Sequence, residues 1–279
     1  MNLRQLSVAV KQAYKKQEGV RFFTERALLS ALLEKNGLDR NALLLHPEQP
    51  LSAETEQQIL SDLQKLLRGE PIQYYLGTEY FCGLEFRVAP GVLIPRPETE
   101  LLVELGRQYA PKNGLVFDFC CGSGCVGIAL LSQREDLSCI SFDVSEQALK
   151  LTKENTERFS LQGRLRVKKA DVLSCGMQTL LDKKRPSLVL ANPPYLTSQE
   201  MLEIPENVAR EPRLALDGGE DGLLFYRVFT HLCQKSGIPF LCEIGKDQKA
   251  GIEKMLSERG LRSVFYRDFS GFDRAFYME

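Results

Sequence analysis

Apolar residues recur at helical spacing through the first seventy positions. Leu3, Leu6, Val10 and Tyr14 fall on one face, and Gly19 is placed to end that segment. A second stripe of Ala27, Leu28, Ala31 and Leu32 starts behind Thr24 as N-cap and ends by Gly37. A short helix is expected over Asn41–Leu45, closed by Pro47. The most regular pattern follows Ser52. Glu54 and Glu56 occupy its first turn, and Ile59, Leu60, Leu63, Leu66 and Leu67 form its stripe before Gly69 and Pro71. Helices this short need each other's apolar faces, so residues 1–70 are expected to form a small bundle.

The pattern then changes. Tyr74, Tyr75, Tyr80, Phe81, Phe86, Val88, Val92 and Ile94 are interrupted by Gly77, Gly83 and Gly91, which predicts a β-hairpin linker over 71–95. Pro95-Arg96-Pro97 breaks it, and a helix follows from Glu98 to near Gly106. From 96 to 279 strand and helix patterns alternate. Strands are expected at Leu115–Phe119, Cys139–Asp143, Leu165–Lys169, Ser187–Ala191, Ile238–Ile244, Ser263–Phe269 and Phe272–Met278. Helices are expected at Gly124–Gln133, Glu146–Phe159, Gly222–Lys235 and Gln248–Gly260. Such alternation predicts an α/β fold, a mainly parallel seven-stranded sheet between helices. Only Ser270-Gly271 separates the last two strands, which makes them an antiparallel hairpin at one edge.

Composition narrows the partners. With 36 basic and 37 acidic side chains the net charge is −1, without the basic surplus that phosphate-backbone binding needs, so nucleic acid is not expected as the main partner. Nothing at the amino end resembles a signal peptide and no run is long enough to cross a bilayer, so a cytoplasmic, non-membrane protein, monomeric, with reduced cysteines is expected. Cys120, Cys121 and Cys125 cluster without a CxxC pair or nearby histidines. Small buried thiols are expected there, and no metal site.

The chemistry concentrates at two turns. Ala191-Asn192-Pro193-Pro194-Tyr195 follows a short apolar strand, and two prolines stop that strand and hold the turn rigid. The carboxyl end of such a strand is where open α/β sheets bind ligands. Asn192 offers a carboxamide, Pro193 a free carbonyl and Tyr195 a flat ring. Together they suit a planar group carrying N–H₂. The second turn, Asp118-Phe119-Cys120-Cys121-Gly122-Ser123-Gly124, joins a strand to a helix, and Asp143 ends the next strand, where a carboxylate can accept from two ribose hydroxyls. This predicts an adenosine-containing cofactor. Asp171 could accept from an adenine amino group, with Val172 against the ring.

Gly122-Ser123-Gly124-Cys125-Val126-Gly127 also spells the dinucleotide fingerprint. Three features count against a dehydrogenase. An acidic residue and two cysteines precede the first glycine, Asp118 suits an ammonium group rather than a phosphate, and a dehydrogenase gives no reason for Asn-Pro-Pro-Tyr.

Taken together, these motifs resemble a class I S-adenosylmethionine-dependent methyltransferase of the amino-group type, with its Rossmann-like fold. Gly69-Glu70-Pro71-Ile72-Gln73-Tyr74, Leu93 to Glu100, Asn192 to Tyr195, Glu211 to Leu216 and Gly218 to Gly222 resemble the HemK/PrmC family more closely. Cys120 stands where that family usually has the first glycine of its loop. The resemblance implies methyl transfer to the N5 amide of the GGQ glutamine of class 1 peptide chain release factors, which modifies translation termination. It implies S-adenosyl-L-methionine as cofactor, against Asp118, Cys120, Cys121, Gly122, Ser123, Gly124, Asp143, Asp171, Val172 and Asn192. Asn192, Pro193, Pro194 and Tyr195 would receive the acceptor, with Asn192, Pro193 and Tyr195 catalytic. The bundle would be its docking domain. Arg96, Glu211 and Glu243 are candidates to line the cleft, although ion pairs or strand-end caps explain them equally well. The rival reading is an amino-methyltransferase acting on an exocyclic amino group of a DNA or RNA base.

Overall fold

A computed structural model describes residues 1–17 and 23–279, so Gly19, the expected end of the first helix, lies outside the described residues. The chain divides into two compact units: Met1–Thr78 with Pro205–Arg210, and Glu79–Ile204 with Glu211–Glu279.

The first unit holds α1 (Leu3–Lys16), α2 (Glu25–Lys35), α3 (Ala42–Leu45), α4 (Ala53–Leu67) and α5 (Ile72–Leu76). Thr24 and Ser52 cap α2 and α4 as their sequences predict, accepting from the N–H groups of Ala27 and Thr55. Leu3, Leu6, Val10, Leu28, Leu32, Ile59, Leu63 and Leu66 are fully or almost fully buried and form its core. Residues 72–76 are helical rather than extended. Pro71 precedes the helix and Gly77, at φ +83°, ends it in the left-handed region. Tyr75 packs into the bundle core and its hydroxyl donates to buried Asp62 (3.1 Å). Pro205–Arg210 joins this unit, with Arg210 donating to the Arg68 carbonyl (3.0 Å). The sequence pattern carries no sign of that excursion.

In the second unit, β1 (Thr78–Phe81) and β2 (Leu84–Arg87) form a two-stranded sheet across Cys82-Gly83, both at positive φ, as a tight hairpin requires. Phe81 and Phe86 are buried beside Leu102, Leu105 and Val126, so the hairpin is part of this unit's core rather than a free linker.

The main sheet follows, built from β3 (Leu115–Phe119), β4 (Ser138–Asp143), β5 (Leu165–Lys169), β6 (Leu188–Ala191), β7 (Phe240–Glu243), β8 (Ser263–Arg267) and β9 (Asp273–Met278). Between them lie α6 (Glu100–Tyr109), α7 (Cys125–Gln133), α8 (Glu146–Arg158), α9 (Gly176–Lys184), α10 (Glu200–Glu203), α12 (Leu224–Ser236) and α13 (Lys249–Glu258); α11 (Glu206–Ala209) belongs to the first unit.

The strand order is β5-β4-β3-β6-β7-β9-β8, parallel except for the antiparallel β9. Alternate residues bury opposite faces. Phe117, Phe119, Phe142, Val189, Phe240 and Phe276 pack against α12 and α13 through Phe229 and Ile252, while Val116, Leu188, Leu190 and Leu241 pack against α6 and α7. The order reverses between β3 and β6, whose last residues Phe119 and Ala191 are in register. That is the topological switch point of an open α/β sheet. It sets the glycine turn and the Asn-Pro-Pro-Tyr turn side by side.

Candidate active site

A cavity of about 360 Å³ opens at the carboxyl ends of β3, β4 and β6, wholly within the second unit. Asp118, Cys120, Cys121, Gly122, Ser123, Asp143, Asp171, Val172, Asn192 and Pro194 all line it. Gly124, Pro193 and Tyr195 do not. Gly124 sits behind the wall at φ +80°, where a Cβ would come within 2.7 Å of Thr152 Cγ2.

The loop after β3 is shaped by left-handed backbone. Cys120, Gly122 and Gly124 have φ of +58°, +55° and +80°. A side chain at Cys120 therefore occupies a conformation that costs about 1–2 kcal/mol relative to the right-handed region. The reversal turns the Gly122 N–H onto Asp143 Oδ2 (2.9 Å), while Ser145 N–H donates to Oδ1 (2.9 Å). Each carboxylate oxygen keeps a second lone pair for a ligand. Burial pushes the Asp143 carboxyl up, and the N–H groups of Ser145, Gly122 and Val144 pull it back.

Asp118 lies deeper, and burial pushes its carboxyl up to about 7 despite hydrogen bonds from Ser141 and the Gly127 N–H. The buried Ser123 Oγ has no hydrogen-bond partner among the described residues. Asp171 caps its own turn by accepting from Leu173 N–H (2.9 Å), and Val172 is buried beside it. The thiols of Cys120 and Cys121 are pushed well above the usual range, first by burial and then by Asp143 and Asp118. They stay protonated.

The turn after β6 has no left-handed residue. It is held instead by side chains. Asn192 Nδ2 donates to Thr99 Oγ1 (3.1 Å), on the short helical turn Pro97–Thr99 before α6. Gln248 Nε2 donates to the carbonyls of Tyr195 (2.8 Å) and Gly222 (3.0 Å), and its Oε1 accepts from Gly245 N–H (2.9 Å). The three backbone segments are thereby joined. Gly218 must be glycine, because a Cβ there would meet the Tyr195 Cα at 2.7 Å.

Arg96 and Glu211 form an ion pair at the cavity rim, and Glu211 also accepts from the Ile94 N–H (3.0 Å). Glu243 is buried at the end of β7, outside the lining. Thr99 and Gln248 are the positioning residues that sequence reasoning did not single out. Thr99 lies inside the Leu93 to Glu100 stretch that carries part of the family resemblance, whereas Gln248 carries no local signal.

Residues 97–228 match the Methyltransferase small domain, and residues 3–77 match the PrmC N-terminal domain. The chain is 35% identical over 256 residues to the release factor glutamine methyltransferase of Clostridium botulinum, covering 88% of each chain. It is 34% identical to the protein of that name from Geobacter sulfurreducens, over 94% of this chain and 90% of the relative. The chain belongs to the release factor glutamine methyltransferase family.

A solved structure of the hMettl16 catalytic domain shares the fold at 15% identity, with a TM-score of 0.58 over 75% of this chain and 82% of that one. The two turns offer different chemistry to the cavity. One wall offers carboxylates and turned N–H groups, and the other an oriented carboxamide. Among the described residues no helix is long and apolar enough to cross a membrane.

Proposed function

We propose that this chain transfers a methyl group from S-adenosyl-L-methionine to the side-chain amide nitrogen of the GGQ glutamine in class 1 peptide chain release factors, in the cytoplasm. The observation that carries the reading is the state of Asn192. Its Nδ2 is tied to Thr99, so Oδ1 is left to accept from an incoming N–H₂ at the wall of the cavity. The cavity fits the cofactor. Asp143 has lone pairs for ribose hydroxyls, Ser123 has an unused hydroxyl, and Asp118 offers a carboxyl toward an ammonium group. Val172, with Asp171 beside it, suits the adenine ring. When bound, the cofactor supplies an electrophilic methyl group on sulfonium.

The residues of this chain have to solve a problem of position, since an amide nitrogen is a poor nucleophile. Asn192 Oδ1 and the Pro193 carbonyl accept the two amide hydrogens, aim the nitrogen and favour the positive charge that develops on it. Pro194 lines the cavity beside them. In this reading Tyr195, which lies outside the lining of the cavity, turns its ring onto the amide plane when the acceptor enters. The proton leaves after transfer, so no side chain has to remove it beforehand. Incubating the chain with labelled methyl donor, release factors and nucleic acids, then locating the label by mass spectrometry, tests the reading. Label on the GGQ glutamine is expected; label on a nucleobase amino group instead would sink it.

A free glutamine is too small and common for this turn to select by itself, so specificity needs a second surface. The helical unit is that docking surface in our reading, and α3 supplies apolar contacts there, with Leu44 and Leu45 81% and 70% exposed. Replacing both with Glu should lower kcat/KM on an intact release factor by ~10-fold or more, as losing one or two hot-spot contacts does. Cofactor affinity should stay unchanged by calorimetry. Full activity of that variant would return α3 to a purely structural role.

A further inference from the structure

The Asn192 carboxamide has two ends of nearly equal shape and opposite polarity. Only one orientation accepts a hydrogen from the substrate amide; the other sets N–H₂ against N–H₂. Prolines on the next two positions fix the backbone but say nothing about this flip. The partner that decides it is Thr99 Oγ1, 3.1 Å from Nδ2.

A hydroxyl alone is ambiguous, since it can also donate to an amide oxygen. Its single hydrogen must be committed elsewhere before it reads the amide as a donor. Thr99 is 2% exposed, and near it lies the Glu243 carboxylate, also 2% exposed, whose Oε2 has no hydrogen-bond partner among the described residues and whose ionised form Thr99 favours. An ionised carboxylate only accepts, so it draws the Thr99 hydrogen and leaves a lone pair toward Asn192.

We propose that Thr99, backed by Glu243, is the positioning residue that holds the Asn192 carboxamide with its oxygen toward the acceptor. This rests on the reading of Asn192 given above. Neither residue touches the reacting atoms; both act through Asn192.

The arrangement is sensitive to pH. Burial pushes Glu243 up to about 7, with Thr99 and then Arg274 pulling it down, Glu98 raising it and Tyr195 lowering it. The buried Cys125 thiol also lies within its field. A proton taken up by Glu243 turns its carboxyl into a donor toward Thr99. The Thr99 hydrogen is then free to bond Asn192 Oδ1 and pull the amide the wrong way. The turnover number at saturating cofactor should therefore fall as pH drops through about 7. Asp118 rises to a similar value, but it faces the cofactor and should act on the KM for S-adenosylmethionine.

The test uses the full chain, S-adenosylmethionine, and whichever candidate acceptor takes up label. Label on a nucleobase rather than a release factor would overturn the functional reading while leaving this inference measurable. Thr99→Val should lower kcat by about 10²-fold, the scale of one lost transition-state hydrogen bond. Its S-adenosylmethionine affinity should change by less than about twofold, and Thr99→Ser should restore most of the rate. Glu243→Gln should remove the acid limb of the kcat–pH profile. Because Thr99 acts through Asn192, Thr99→Val combined with Asn192→Ala should be no slower than Asn192→Ala alone. Additive losses in that cycle, a Thr99→Ser variant as slow as Thr99→Val, or an acid limb that survives Glu243→Gln would each overturn the proposal.

Discussion

The two turns that flank the cavity lie on neighbouring strands yet are built by opposite means. The loop after β3 takes its shape from backbone: three left-handed residues within five positions turn the Gly122 N–H onto Asp143. The turn after β6 has ordinary backbone and takes its shape from distant side chains, Thr99 and Gln248. A cofactor's wall needs close approach and fixed donors, which a twisted main chain provides. An amide acceptor needs one polarity at one atom, which a side chain provides only when something else orients it. The first turn is thus vulnerable at its Cα positions and the second at its hydrogen bonds.

The largest expected effect lies in the second turn. Asn192→Ala should lower kcat by roughly 10²–10³-fold, as removing one donor or acceptor from a charge-developing site does. Isothermal calorimetry should show cofactor affinity nearly unchanged, and near-normal turnover would dissolve the contrast between the turns. Next comes the first turn. Asp143→Ala removes the acceptor for the Gly122 N–H and, on the proposed function, the acceptor for the ribose, and should weaken S-adenosylmethionine binding by about 1.5–3 kcal/mol. An unchanged Kd there would mean that the loop binds by shape alone.

A shared feature sharpens the comparison. Each turn is backed by a buried carboxyl raised to about 7, Asp118 for one and Glu243 for the other. Their ordinary values are 3.8 and 4.5, so between those values and about 7 the folded state binds more protons than the unfolded chain. Stability is then greatest below the unfolded values and is lost as pH rises through 7. Asp62 and Asp136 are lowered and contribute in the opposite sense, but below 3.8, outside that window. Melting without ligand should occur a few degrees higher at mildly acid than at alkaline pH, at about 2–4 °C per kcal/mol for a chain of this size class. Asp118→Asn together with Glu243→Gln should flatten the slope; an unaltered slope would place its origin elsewhere.

The smallest effect concerns Cys120. Cys120→Gly relieves a left-handed side chain worth about 1–2 kcal/mol but adds unfolded-state entropy worth about 0.5–1 kcal/mol, so a net gain between zero and about 1.5 kcal/mol is expected. Denaturant midpoints measure it. A loss would mean that thiol packing outweighs the strain.

Much of the fold was legible because it is written locally. Capping residues at Thr24 and Ser52, the apolar stripes of α1 and α4 and all seven main-sheet strands stand within a residue or two of their sequence limits. The exception at residues 72–76 is instructive. Tyr74 and Tyr75 read as strand residues, but Pro71 before them and Gly77 after them punctuate a helix, and bundle packing decided the matter. Of the candidate site, both turns were visible as motifs, while Pro193 and Tyr195 prove to lie outside the lining of the cavity.

The sequence by itself determined all seven main-sheet strands and most of the longer helices, where the glycine loop turns, and that a rigid carboxamide follows β6. Those follow from periodicity and from Gly and Pro backbone limits, which act over a few residues. Tertiary structure alone decided that Thr99 meets Asn192 across 93 positions, that Gln248 reaches Tyr195 across 53, and that Pro205–Arg210 joins the helical unit. Such pairings depend on strand order and register. A hydroxyl, a carboxylate and an amide acquire polarity toward one another only once the sheet has brought them together.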